Sequence, residues 1–456
     1  MLLAKKKELD LTNGPLFSSM IVFAIPLILS NLFSALYNAV DMAVLARFAV
    51  GTEVASVGST ASLTSLFLNT AIGLGGGATI LLARCFGSKE KERVQTVLST
   101  SILTGAILGA VLALIGSILV PFFLQWTHCP ADCFENARLY AMIYILGMPF
   151  YLVYNYAAAA IRVSGDSEHP LYYMIIGGLT NIVLNVLLCL ILPYKVVAVA
   201  IATLISNALA AFLCLRRLAT VDGIAHWDVK KIRFDFKTFA KMIQYGLPSA
   251  MTSILYPIAN LQIQAGVNAF GASTIAGNTA SSQYESIVNN ACAALNATAM
   301  TFVGQNLGAK KPKRVFRSVL YLQVMETAVA VTLAFTFVFF GRQLLPVFTG
   351  NDPEAVRQGL VRMRSILLFY PIAMNVAGSV LQAFGYPTLQ MCINIIGVFG
   401  FRTLWMQFVY GNILPKTIEN LYLCFPISIV GIAITVCSLM GIVLFRYSKG
   451  RYKEKL

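Results

Sequence analysis

Three carboxylates in this sequence stand where a charge is expensive. Of its nineteen acidic residues, Asp41, Glu285 and Glu326 fall well inside long apolar stretches. An ionisable group there costs several kcal/mol unless it faces a cavity or a partner, so each is a candidate for function. Asp41 has the best company. Tyr37 lies one helical turn before it and Ser34 two turns before, with Asn38 alongside, giving a polar stripe on one side of the stretch. Asp41 is six residues from Arg47, or about 9 Å below that end of its helix. Asn185, with Asn181 one turn deeper, and Thr203, with Asn207 one turn later, sit about 10 Å below the same side of the membrane in two other stretches. A carboxylate, two amides and a hydroxyl at one level are oxygen ligands for a hard monovalent cation, and the carboxylate can instead carry a proton. The same set would also serve as a hydrogen-bonded pin between helices, but a lone carboxylate is a costly pin at that depth.

Glu285 belongs to a very polar segment with Asn278, Asn289, Asn290 and Asn296, which predicts a helix lining the protein interior rather than facing lipid. Whether Glu285 titrates or only hydrogen-bonds stays open at this point. Glu326 shows no partner in the sequence and reads as structural or as a group at the lipid edge. All three histidines fall in predicted loops, so no zinc motif forms, and no Gly-x-Ser-x-Gly elbow or carboxylate pair at catalytic spacing occurs. Gly73-Leu74-Gly75-Gly76-Gly77 lacks the lysine and hydroxyl of a phosphate loop and reads as close helix packing. An enzyme, a cofactor and an ATP-driven pump are therefore not expected.

The elements that must position these groups are membrane helices. The chain is 58% hydrophobic and 12% charged, with a mean hydropathy of +0.75, outside the balance of water-soluble domains. Apolar runs long enough to cross a bilayer predict twelve spans, at roughly 17–47, 54–82, 95–122, 137–161, 171–192, 196–215, 242–269, 274–303, 316–341, 358–384, 388–411 and 418–445. The sequence also repeats itself. Ile25-Pro26-Leu27 recurs as Leu247-Pro248-Ser249, and Gly58-Ser59-Thr60-Ala61-Ser62 as Gly277-Asn278-Thr279-Ala280-Ser281. Gly87, Lys89, Arg93 and Val94 return as Gly308, Lys310, Arg314 and Val315, and Arg162-Val163-Ser164-Gly165 is echoed by Gln382-Ala383-Phe384-Gly385. Four matches in order at nearly constant offset mark a duplication, the usual architecture of a secondary transporter. Six spans per repeat is an even number, so both repeats enter the membrane in the same direction and their pseudo-two-fold axis lies along the membrane normal. The expected fold is all-α: an N-terminal six-helix lobe at 1–216, a polar basic linker at 217–241, and a C-terminal six-helix lobe with a basic tail at 242–456.

Basic residues set the expected orientation. Of 34 lysines and arginines, 25 fall on the side of the chain ends, which predicts that both termini are cytoplasmic. The net charge of +15 then reflects topology and contact with anionic lipid headgroups, and no nucleic-acid partner is expected because the basic residues are split among short loops. The charged start running straight into the first span predicts no cleavable signal peptide. Cys129 and Cys133 fall in a loop predicted to be outside, where a disulfide is possible but spacing alone does not establish one.

Several of these segments together resemble one known family. Ile25-Pro26 and Tyr37-Asn38-Ala39-Val40-Asp41, Gly87-Ser88-Lys89, Arg162-Val163-Ser164-Gly165-Asp166-Ser167, Asn181-Ile182-Val183-Leu184-Asn185 and Tyr284-Glu285-Ser286 are similar in kind and order to the multidrug and toxic compound extrusion (MATE) transporters, in particular their DinF-like branch. The resemblance runs from Pro15 to about Arg446. It implies two six-helix lobes forming a V, with export driven by proton or sodium entry. It also implies a cation site at Asp41, Asn181 and Thr203, with Asn185 at a position that is aspartate in some relatives, so that one negative charge is missing. Tyr37, Asn155 and Glu285 would contact substrate. The paired acidic residues of the other branch are absent: the seventh span offers Gln262 and Gln264, the tenth Asn375 and Gln382.

The resulting expectation is a multi-pass plasma-membrane exporter. It would act as a monomer, antiporting small amphipathic or cationic organic compounds, drugs and dyes against H+ or Na+. The alternative is a flippase for lipid-linked oligosaccharides. Such a protein would line its cavity with arginine or lysine to hold a pyrophosphate, whereas Arg402 is the only basic residue deep in a predicted span.

Overall fold

The computed structural model describes residues 9–49, 52–127, 129–350, 352–373 and 376–451, and at 35–39 and 373 only the backbone. The chain is a succession of long helices. In the first repeat they are α1 (Leu16–Phe48), α2 (Glu53–Ser88), α3 (Lys91–Trp126), α4 (Ala131–Leu146) and α5 (Met148–Val163), α6 (Glu168–Ile191) and α7 (Lys195–Thr220). The second repeat holds α8 (Phe236–Asn268), α9 (Ala272–Gly308), α10 (Pro312–Phe339), α11 (Pro353–Ile366) and α12 (Ala377–Ala383), α13 (Pro387–Asn394) and α14 (Phe401–Leu404), and α15 (Cys424–Ser448).

Among the described residues, nine helical stretches are long and apolar enough to cross a bilayer, α4 and α5 counting as one span (Ala131–Val163) and α13 with α14 as another (Pro387–Val409). A tenth is the pair Pro353–Ile372 and Ala377–Ala383, bent by 44°. The remaining two, α8 and α9, are 33 and 37 residues long but carry too many amides and hydroxyls to qualify by composition. These make up the twelve spans of the two-repeat fold. Large apolar side chains such as Leu114, Phe122, Leu190, Ile191 and Phe339 point outward and are more than half exposed, as lipid-facing surfaces require. Thr60, Ser99, Ser101, Thr104, Asn181 and Asn185 are fully buried. In hydrocarbon, polar side chains turn inward because only protein can satisfy them.

The duplication extends to backbone conformation. Lys89 and Lys310, paired by the sequence repeat, are the two non-glycine residues with positive φ among those described (59° and 55°). Each amide closes the end of its helix on a carbonyl three residues back, Phe86 at 3.3 Å and Leu307 at 2.9 Å. Gly165 and Gly385 form a second matched pair, with φ of 102° and 81°. Their amides bond to Arg162 O and Gln382 O at 3.0 and 2.8 Å. The side chains around these turns have diverged while the turns have not.

The chain divides into two compact units, one of residues 1–15 and 21–250, the other of 16–20 and 251–456, so that the division falls inside α8. Within the first unit, the polar stretch before α8 is tied to α3. Trp227 Nε1 donates to Ser99 Oγ (3.1 Å), Gln95 Nε2 to Asp228 O (3.0 Å) and the Asp235 amide to Thr100 Oγ1 (3.1 Å). Cys129 and Cys133 are free thiols, the latter buried.

The glycine run of α2 packs helix on helix, as its composition predicts. A Cβ added at Gly77 would lie 2.1 Å from Met242 O and 2.6 Å from Gly246 N, and one at Gly73 would lie 2.3 Å from Ala250 Cα. Gly246 faces Leu74 O in return, at 2.5 Å. Two small residues one turn apart on each helix thus bring the backbones of α2 and α8 together. Gly77→Leu is expected to destabilise the protein by about 3 kcal/mol, because neither backbone can yield to the added side chain. Gly58→Leu, where nothing lies within 4 Å, should unfold with the wild type in a thermal-unfolding series in detergent.

Candidate functional site

The carboxylate, amides and hydroxyl that the sequence placed at one level do meet. Asn181 and Asn185 are one turn apart on α6 and project from the same face. Gly177, one turn earlier, lets α6 approach α7 closely, since a Cβ there would lie 3.3 Å from Ser206 O. Asn185 Nδ2 donates to Asp41 Oδ1 on α1 at 2.6 Å and to Asn181 Oδ1 at 2.9 Å. Asn181 Nδ2 donates to Thr203 Oγ1 on α7 at 3.3 Å. Thr203 Oγ1 stands 3.4 Å from Asp41 Oδ2 and 3.0 Å from Val199 O, and its single proton can serve only one of them. The four side chains form a ring in which all are 9% exposed or less, the two asparagines completely buried.

The ring is rich in oxygen and short of protons. Among the described residues, Asn185 Oδ1 is buried with no hydrogen-bond partner, and Asp41 Oδ2 meets the shared Thr203 hydroxyl at 3.4 Å. No lysine or arginine pairs with Asp41 among the described residues. A buried carboxylate in that setting can be relieved by taking a proton or a hard cation bound by these same oxygens.

The other sequence candidates lie elsewhere. The Tyr37 side chain is outside the described residues, as is Asn375. Asn155 is half-buried on α5, with its amide turned back on Tyr151 O at 2.8 Å. Glu285, on α9, belongs to a separate cluster in the second unit. There it pairs with Arg362 of α11 at 2.8 Å, and both side chains are about nine-tenths buried. Arg362 Nη1 also donates to Asn278 Oδ1 at 2.6 Å, and Tyr422 OH donates to the same oxygen at 3.0 Å. Asn278 in turn donates to Gln264 Oε1 on α8 at 2.9 Å. Glu326 is fully buried rather than at the lipid edge. It accepts from Asn296 Nδ2 at 2.6 Å, and Ser379 Oγ donates to Asn296 Oδ1 at 2.7 Å.

Arg362, near the start of the predicted span 358–384, is the site residue that the sequence did not single out. A signal was available. Ala355, Gly359, Arg362, Met363 and Ile366 recur at helical spacing and are the buried face of α11, so an arginine on that stripe must find an internal partner.

A family model described as MatE matches the sequence twice, over residues 26–187 and 248–405, once in each half. The chain belongs to the MatE family. Its members are transporters and not enzymes, and this MatE chain is accordingly a multi-pass membrane protein that handles small organic substrates. It is 26% identical to "Probable multidrug resistance protein YoeA" of Bacillus subtilis (strain 168) over 449 residues, 94% of each chain. It is also 26% identical to the "FAD transporter" of Shewanella oneidensis over 365 residues, 76% of this chain and 78% of that one. Among solved structures, one described as "Outward-facing conformation of a multidrug resistance MATE family transporter of the MOP superfamily" superposes with a TM-score of 0.87 at 18% identity. It covers 97% of this chain and 99% of the other, a likeness in fold.

Proposed function

We propose that this MatE transporter is a secondary active exporter that expels amphipathic, often cationic organic compounds in exchange for protons or sodium ions. One observation carries the reading: the buried ring of Asp41, Asn181, Asn185 and Thr203, joining three helices around a carboxylate that has no cationic partner among the described residues. An ion arriving at Asp41 neutralises it and competes with the Asn185 amide for Oδ1, which loosens α1 from α6 and α7. Coupling then comes from the difference in ion affinity of Asp41 between the state that holds cargo and the state that releases it. Tyr37 and Asn155 are the proposed cargo contacts on the same half of the chain. The excess of lysine and arginine on one side supports cytoplasmic termini, and the protein works as a monomer with its bilayer.

The flippase reading gains little from the second buried arginine, because Arg362 is already neutralised by Glu285. The two relatives carry names with very different cargoes, so cargo has to be read from this chain's own residues.

The test is efflux of a fluorescent cationic dye from liposomes containing the purified full-length protein, under sodium and proton gradients imposed separately. Dye export faster than in protein-free vesicles under one gradient, and not under the other, is the expected result and names the ion. Export at the protein-free rate under both gradients, with the protein folded, contradicts the reading.

A further inference from the structure

Among the described residues, the second unit buries two arginines, and only one of them is paired with a carboxylate. Arg362 is taken by Glu285. Arg402, 3% exposed on α14, has no carboxylate within ion-pair distance among the described residues. Its Nη1 donates to Asn260 Oδ1 at 2.6 Å, its guanidinium lies 4.3 Å from the centre of the Phe425 ring, and its Nε is buried with no hydrogen-bond partner among the described residues. Arg362 approaches the same ring at 5.5 Å, so one aromatic side chain holds both guanidiniums in place.

An arginine keeps its charge in a protein, and a buried unpaired one costs several kcal/mol. Asn260 and Phe425 stabilise it through a dipole and a quadrupole but supply no negative charge. The surrounding backbone is also irregular. α14 is a single turn between two π-helical segments, Ile395–Gly400 and Trp405–Val409, and such widened turns are concentrated at functional sites. By count from Val409, Arg402 lies about 10 Å inside its span.

We propose that Arg402, oriented by Asn260 and Phe425, is a specificity site that receives an anionic group, a phosphate or a carboxylate, of the transported amphiphile. With Nη1 committed to Asn260, the edge carrying Nε is left for the incoming oxygens, and a planar guanidinium suits both groups. Glu285 stays with Arg362, so the ligand gains a full positive charge rather than a neutral pair. The substrates favoured are therefore zwitterionic or anionic, in addition to the cationic ones proposed above. This rests on the export reading only in taking the ligand to be cargo.

The experiment is equilibrium binding to the full-length protein in nanodiscs, using two probe pairs that differ only in an anion. These are riboflavin 5′-phosphate against riboflavin, and carboxyfluorescein against its methyl ester. The wild type is expected to prefer the charged member of at least one pair by more than about tenfold. The preference should fall to about one in Arg402→Gln. It should be only reduced in Arg402→Lys, which keeps the charge without the planar fork and remains informative if the glutamine variant fails to fold. The readout is binding at equilibrium with no ion gradient imposed, which separates this proposal from the coupling reading. Equal affinity within both pairs, no binding of either charged probe, or the wild-type preference in folded Arg402→Gln overturns the assignment. So does a preference seen in phosphatidylcholine discs but lost when phosphatidylglycerol is added, with that lipid retained by wild type and shed by Arg402→Gln. In that case the anion is a lipid headgroup and not cargo.

Discussion

Asp41→Asn will fold normally and lose its response to the driving gradient. An asparagine keeps the size and most of the hydrogen bonding of the aspartate, and the Asn185 amide can still donate to its carbonyl oxygen. The change in stability should therefore stay within about 1 kcal/mol. What disappears is the charge on which the proposed coupling rests, and a site with equal affinity in both states shifts nothing however tightly it binds. Gradient-dependent dye efflux is expected to fall about a hundredfold, while dye binding at equilibrium stays within severalfold of wild type. An unchanged rate in the variant would remove Asp41 from coupling. Glu326 would be the next candidate, because it is fully buried and its Oε2 has no partner.

The second large effect is on stability, at the pair of Glu285 and Arg362. Removing one member of a buried ion pair leaves the other unpaired and is far more costly than removing both. Arg362→Met is expected to cost about 3–5 kcal/mol, since it strands Glu285 and also removes the donor to Asn278. Glu285→Gln should be comparably harmful because Arg362 then joins Arg402 as a second unneutralised cation beside Phe425. The double variant Glu285→Gln with Arg362→Met should recover a large part of the loss. Thermal unfolding of the four proteins in detergent forms a double-mutant cycle. Losses that simply add would show that the two side chains do not stabilise each other.

Much of the architecture was legible in the sequence for simple reasons. A bilayer demands long apolar runs, and it makes every polar residue within them conspicuous. The ring at Asp41 could be anticipated because helix rise converts residue count into depth, so groups at one level on different helices are recognisable before their contacts are known. Lys89 with Lys310 and Gly165 with Gly385 kept the same backbone turn, so even weak echoes in the repeat marked real equivalence. α8 and α9 were harder, since helices that line an interior rather than lipid lose the hydropathy that identifies a span.

By itself, then, the sequence determined the class, the count of helices, the internal duplication and the depth of Asp41, Asn181, Asn185 and Thr203, because each depends on distance along the chain or on composition. Only the tertiary structure decided which charges meet. Asn185 bonds to Asp41 across 144 residues, Arg362 reaches Glu285 across 77, and Arg402 is left with an amide and an aromatic ring. Pairing of this kind depends on rotation about helix axes and on which side chain arrives first at a shared partner. A carboxylate and a guanidinium look equally expensive in a membrane sequence until packing shows which of them has been neutralised.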